Sequence, residues 1–225
     1  MRAYSLMEIL LAICILVILA VLLAPAFQVA RTTSLRMQGL SNMRQTISAI
    51  LLYATDHDNK LPGPLDEFHY PAVTTKTDQL VYFIGNYLGV PAHARAGLAV
   101  TPMAPVAFLS KNDPTKKACY FAINNIYLPT SGTKNIYIKP WGTTNQKAGY
   151  TEADHTPKPL TAIPTPSETV AIIDADSQLR TTLGALGERT YLIKDPLYGR
   201  LRNAAFFDGH VESVPIDYNM FPYFK

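Results

Sequence analysis

The sequence lacks most of the patterns that carry enzymatic or nucleic-acid-binding functions. Five histidines, at positions 57, 69, 93, 155 and 210, form no HExxH or other paired metal-ligand spacing, and there is no glycine-rich phosphate loop and no GxSxG motif. The net charge is only +3 and the basic residues are scattered. We therefore predict no catalytic residue, no bound cofactor and no nucleic-acid partner.

Cysteine is also scarce. The chain has two, Cys14 inside an apolar run and Cys119 far along the sequence. If the apolar run spans a membrane, the two thiols cannot meet within one subunit. We expect no disulfide and no thiolate metal site, and cysteine usage does not indicate a compartment.

The sequence does contain one long apolar run near its N-terminus. Residues 9–30 are apolar apart from Gln28. A helix of this length covers about 33 Å, enough for the roughly 30 Å hydrocarbon core of a bilayer. A cleaved secretory signal usually has a shorter apolar region, of about 7 to 15 residues. We therefore predict that residues 4–30 form the transmembrane half of a helix.

The helical pattern continues beyond this run. Pro25 lies inside it, where membrane helices tolerate a kink. Apolar residues then recur at steps of three to five, at Leu35, Leu40, Met43, Ile47, Leu51 and Ala54. This spacing predicts an amphipathic half over residues 31–57, ended by the breakers in DHDNKLPGP, residues 56–64.

Residues 58–225 have the composition of a globular α+β domain. TDQLVYFIGNYLGV, residues 77–90, predicts a short helix that ends at Gly89. Short β-branched or aromatic runs follow, separated by Pro, Gly and Asn: ACYFAINNIYL, NIYIK, TVAIID, AAFF and VESV. We predict a small antiparallel sheet packed against the amphipathic half of the long helix.

Two short acidic motifs are the candidate sites in this domain. Asp174 and Asp176 follow an apolar strand and are weak Ca²⁺ candidates, but nothing downstream completes a calcium loop, so a solvated loop is the favoured interpretation. Asp208 and Gly209 predict a two-residue hairpin turn with both residues at positive φ, and a chemical site with His210 is the less favoured alternative.

One tryptophan and one histidine could each have either a structural or a functional role. Trp141 in KPWGTTNQ could stack on a sugar or a partner, but packing against the sheet is favoured. His57, between two aspartates, is expected to be solvated at the helix end.

Glu8 is the unusual feature of the apolar segment, because a carboxylate inside hydrocarbon costs a few kcal/mol. The stretch YSLMEILLAICILVILAVLLAP, residues 4–25, resembles the N-terminal signature of type IV pilins and type II secretion pseudopilins. Residues 40–62, residues 166–177 and AAFFDGHVESVP, residues 204–215, resemble a pseudopilin-like bacterial group with a His-X9-Asp-Gly signature. Asp208 and Gly209 match its end, whereas Tyr198 stands where that group has histidine.

The resemblance implies a pilin-like fold and a structural, non-enzymatic function. Residues 1–3 would be a short leader, cut by a prepilin peptidase between Ala3 and Tyr4, with Ala3 in place of the family's glycine. The new amino terminus would be methylated, and Glu8 would pair with that terminus in a neighbouring subunit, with Pro25 at the matching spacing. Some related pseudopilins bind Ca²⁺.

The same resemblance implies the partners and the location. The partners would be the peptidase, other pilin or pseudopilin subunits and an inner-membrane assembly platform. The chain would cross the bacterial inner membrane once and place its C-terminal domain in the periplasm. Charge bias alone does not support this orientation, because Arg31 and Arg36 follow the span and only Arg2 precedes it.

A second hypothesis is a singly anchored extracytoplasmic domain with a binding or enzymatic function. It explains the sheet domain equally well, and Glu8 would then be interfacial, reaching toward lipid headgroups. It gives no reason for a carboxylate at Glu8, for Pro25 or for the helix that continues past it.

Overall fold

The computed structural model describes residues 6–91, 94–128, 136–145, 150–181, 184–185, 189–218 and 220. The helices are α1 (Leu6–Asp56), α2 (Leu80–Ile84), α3 (Val106–Leu109) and α4 (Glu152–His155). Short 3-10 turns are formed by Gly85–Leu88, Thr101–Met103 and Leu160–Ala162. The strands are β1 (Phe68–His69), β2 (Tyr120–Ala122), β3 (Ile126–Leu128), β4 (Ile136–Ile138), β5 (Val170–Asp174), β6 (Arg180–Thr181), β7 (Gly184–Ala185), β8 (Leu201–Phe206) and β9 (Val211–Pro215).

The N-terminal element is one continuous helix. α1 has 51 residues and includes Pro25, which gives a length of about 75 Å at 1.5 Å per residue. Its N-terminal half is long and apolar enough to cross a membrane. Side chains such as Leu16, Val21 and Leu22 are 64%, 67% and 68% exposed. The prediction of a single long helix that ends near residue 57 is confirmed.

The C-terminal half of α1 packs on the sheet, as its periodicity predicts. Leu40, Met43, Ile47 and Ala54 are buried in the core, where α1 contacts β8 and β9. The other two predicted positions are Leu35 and Leu51. Both side chains are half-buried. Burying this apolar stripe of the helix is what fixes α1 to the sheet.

The main sheet has five antiparallel strands in the order β1-β2-β5-β8-β9. Two separate two-stranded antiparallel sheets pair β3 with β4 and β6 with β7. The predicted antiparallel strands and the α+β class are confirmed, and so is the short helix, since α2 and the turn after it end at Gly89 with φ 71. The two-residue strands β1, β6 and β7 are too short to show a periodicity, and the sequence did not predict them.

The turn between β8 and β9 differs from its prediction. The N–H of Gly209 donates to the carbonyl of Phe206 at 3.0 Å, and the N–H of Phe206 donates to the carbonyl of His210 at 3.0 Å. Gly209 has φ 96, but Asp208 does not have a positive φ. The loop therefore has three residues, with Gly209 alone in the left-handed region, and the predicted two-residue turn is wrong. The additional residue is Phe207, which is buried with its ring centroid 5.3 Å from that of Trp141.

Candidate functional site

A buried ion pair lies where β5 ends and β8 begins in the sheet. Asp176 is 0% exposed and Arg202, on β8, is 1% exposed. Arg202 donates from Nε to Oδ2 of Asp176 at 2.6 Å and from Nη2 to Oδ1 at 2.8 Å. Its Nη1 donates to the carbonyl of Ile216 at 2.6 Å. One guanidinium therefore holds together three segments that are distant in sequence.

Asp174 lies beside this pair at the last position of β5. Its Oδ2 accepts a hydrogen bond from the backbone N–H of Asn203 at 2.7 Å. Burial raises the pKa of Asp174 to about 7, and the charge of Asp176 raises it further, whereas the Asn203 hydrogen bond lowers it. The favoured interpretation of a solvated loop is wrong, because both aspartates are buried. The sequence analysis did not identify Arg202, 26 residues away, as the cation that stabilises Asp176.

These contacts also bear on the weak Ca²⁺ prediction. A calcium ion needs six to eight oxygens, but Arg202 already engages both oxygens of Asp176, and the N–H of Gln178 donates to Oδ1 at 2.8 Å. Over the described ranges, no group of three or more His, Cys, Asp or Glu could hold a metal ion. We therefore assign Asp174 and Asp176 to the packing of the sheet.

The raised pKa of Asp174 predicts a pH dependence of stability. A carboxyl with a folded pKa of about 7 and an ordinary value of 3.8 binds its proton more tightly in the folded state. Its stabilising contribution is complete below about pH 4 and is lost as the pH rises to about 7. Asp174→Asn keeps an acceptor for Asn203 without titrating, so we expect the variant to gain up to about 4 kcal/mol relative to wild type between pH 4 and pH 7.5.

This dependence is measured by urea unfolding of the full-length protein in detergent micelles, with the fluorescence of Trp141 as the signal. The exposed Asp217→Asn is the matched control and should follow the wild-type profile. Parallel pH profiles for Asp174→Asn and wild type would show that the Asp174 carboxyl titrates normally.

Tyr198 lies at a close approach of α1 to the sheet domain. A Cβ at Gly39 would be only 2.0 Å from the Tyr198 hydroxyl oxygen and 2.8 Å from Nδ2 of Asn203. Only glycine permits this approach. Burial raises the pKa of Tyr198, and its hydroxyl has no hydrogen-bond partner within the described part of the chain. Tyr198 is thus part of the contact between the helix and the domain.

Asp208 and His210 contact each other within the β8-β9 turn. Nδ1 of His210 lies 2.7 Å from Oδ1 of Asp208, and the His210 ring stacks on Phe206 at 4.1 Å. Both side chains are partly exposed. All of these contacts are local to the turn, which favours the structural interpretation over a chemical site.

The remaining residues singled out from the sequence are a tryptophan, a histidine and the two cysteines. Trp141 is fully buried and donates from Nε1 to the carbonyl of Ile123 at 3.0 Å, which confirms its packing role. His57 is exposed at the end of α1 and stacks on Tyr53 with a centroid distance of 3.8 Å, as expected. Cys14 is exposed and Cys119 is buried, and neither is in a disulfide.

His69 is a buried polar residue that sequence reasoning did not single out. Burial lowers its pKa to about 3, so the ring is neutral at ordinary pH. Its Nδ1 accepts a hydrogen bond from the N–H of Leu80 at 3.1 Å. This bond joins β1 to the first residue of α2. A single histidine among polar and apolar neighbours gives no sequence signal that it links a strand to a helix.

The predicted assembly residues lie at the other end of the molecule. Glu8 is in the first turn of α1, and Pro25 lies within the helix. The predicted processing residues, Ala3 and Tyr4, lie outside the described residues.

Comparisons of the chain with protein-family models, curated proteins and solved structures found no match.

Proposed function

We propose that this chain is a pilin-like structural subunit. It is inserted in the bacterial inner membrane, processed by a prepilin peptidase and assembled through its N-terminal helix into a pilus or a type II secretion pseudopilus. The observation that carries the proposal is α1 itself, Leu6–Asp56, one helix with an apolar exposed half and a half packed on an antiparallel sheet.

The exposed half of α1 needs an apolar environment. Its side chains include Ile9, Leu16, Val21 and Leu22, each at least half exposed, and a row of such residues is not stable in water. A lipid bilayer covers them in the precursor, and the same helices of neighbouring subunits cover them in a filament. A helix that serves in both states must be apolar on every side, as this one is.

Glu8 distinguishes this function from a plain membrane anchor. An anchor gains nothing from a carboxylate next to its apolar run, because the charge is costly to bury. A filament subunit can use that charge to neutralise the amino terminus of its neighbour. The sequence around Glu8, with Pro25 further along, has the spacing of the prepilin signature.

Prepilin processing is the first test of this function. We expect the protein from native membranes to begin at Tyr4 and to carry one added methyl group. Intact-mass measurement and sequencing of the N-terminal peptide would establish both. Ala3→Gly, which restores the family's residue, should be cut at least as completely as wild type, and Ala3→Leu should accumulate as precursor.

A chain that begins at Met1 in native membranes, with Ala3→Gly equally uncut, would contradict prepilin processing. The protein would then be a singly anchored domain, and its function would have to be sought in the globular part.

A further inference from the structure

A basic cleft lies between α1 and the globular part of the chain. It has a volume of about 570 Å³ and is bounded on the helix side by residues that include Gln28, Arg31 and Thr32. On the domain side, Ser110, Lys111 and Tyr198 line it. Two lining residues are cations and none is acidic, so the cleft attracts anions.

The polar groups at this cleft have few partners within the protein. Arg31 and Lys111 are exposed and form no ion pair with the residues that the structure describes. The Tyr198 hydroxyl is buried and has no hydrogen-bond partner among the residues that the structure describes. A buried hydroxyl without a partner is destabilising, and an anionic oxygen in the cleft would accept its hydrogen bond.

The position of the cleft along α1 narrows the choice of anion. Arg31 is the first charged residue after the apolar run, which ends at Ala30. The helix rises about 1.5 Å per residue, so Arg31 lies within a few ångströms of the end of the hydrocarbon region. Lipid headgroups occupy this layer of a bilayer.

We propose that this cleft binds the phosphate of one anionic phospholipid headgroup, with Arg31 and Lys111 on either side of it. The inference rests on the membrane insertion of α1 that the proposed function requires, but not on processing or polymerisation. The bound lipid would fix the depth and the orientation of the globular domain at the membrane surface. The volume falls within the usual range for small-ligand sites, about 300 to 1,000 Å³.

The test compares two double variants of the full-length protein in zwitterionic detergent micelles at physiological salt. Arg31→Gln/Lys111→Gln removes both cations of the cleft. Arg44→Gln/Lys60→Gln removes one arginine and one lysine that are exposed farther from the membrane. Native mass spectrometry measures retention of phosphatidylglycerol, of phosphatidylcholine, and of phosphatidylglycerol in the presence of millimolar inorganic phosphate.

We expect wild type to retain about one phosphatidylglycerol per chain in preference to phosphatidylcholine. Retention should fall roughly 10-fold or more in the cleft variant, since each cation near a lipid surface contributes about 1 kcal/mol. The control variant should match wild type, and inorganic phosphate should not displace the lipid. An unchanged unfolding midpoint, followed by Trp141 fluorescence, shows that the cleft variant is folded.

Equal retention by wild type and the cleft variant would overturn the proposal, as would an equal loss in the control variant. Displacement by inorganic phosphate would also overturn it, because the site would then take free anions and not a lipid. Carbonate extraction of the source membranes distinguishes failure of the lipid-binding proposal from failure of the proposed function, which requires membrane insertion. A chain released by carbonate is not inserted, whereas an inserted chain without lipid preference refutes the cleft alone.

Discussion

Replacing Arg202 by alanine is expected to lower the free energy of unfolding by about 3 to 5 kcal/mol. Arg202 donates two hydrogen bonds to Asp176 and one to the carbonyl of Ile216, and both charged side chains are buried. The variant leaves the Asp176 carboxylate without its counter-charge in a site that water does not reach. Most of the loss comes from that unpaired charge and not from the attraction itself.

Urea unfolding of the full-length protein in micelles, followed by Trp141 fluorescence, measures this loss. Arg202→Lys keeps the charge but cannot form the two-pronged contact, so its unfolding midpoint should lie between those of wild type and Arg202→Ala. Lys116→Ala breaks an exposed ion pair with Asp113 at 3.3 Å and should leave the midpoint unchanged. If the unfolding midpoint of Arg202→Ala were as close to that of wild type as the midpoint of Lys116→Ala is, the buried pair of Arg202 and Asp176 would contribute little to stability.

Local residue patterns predicted the longer elements of this fold. The amphipathic half of α1 repeats apolar residues at helical spacing, and the longer strands, β5, β8 and β9, lie in β-branched or aromatic runs. The breakers after residue 56 and Gly89 marked the helix ends correctly. These features depend on local chemistry, which a single sequence contains.

The buried polar groups depend on contacts between distant residues, and the sequence did not predict them. Asp174 and Asp176 look like a solvated loop until Arg202 and Asn203, on another strand, are placed beside them. One signal was available, because a charged residue in LRNAAF interrupts a strand that is otherwise buried. A cation at such a position needs a buried counter-charge, and Asp176, two residues after β5, supplies it.

Tyr198 takes part in a contact of the same kind, between residues distant in sequence. Its hydroxyl lies against Gly39 of α1 and lines the basic cleft. No local pattern links residues 39 and 198. The position matters for how the domain meets the helix where the helix leaves its apolar half, and therefore for how the domain would stand on a membrane.

Replacing Glu8 by alanine is expected to abolish filament incorporation while leaving membrane insertion intact. In the proposed filament, the carboxylate pairs with the amino terminus of the neighbouring Tyr4 among apolar helices. Removing one partner of a buried pair costs about 3 to 5 kcal/mol, which corresponds to a loss of roughly 100-fold or more in assembly. Insertion depends on the apolar run and should not decrease, because the variant removes a charge from its edge.

Quantitative mass spectrometry of the sheared filament fraction and of the carbonate-resistant membrane fraction measures the two effects separately. Cys14→Ala changes an exposed residue of the same helix without altering charge and should assemble like wild type. Glu8→Gln tests whether charge or polarity matters, and we expect it to fail like Glu8→Ala. Normal incorporation of Glu8→Ala would contradict the pairing and leave Glu8 as an interfacial residue, because a buried amino terminus without a counter-charge would not support a stable filament.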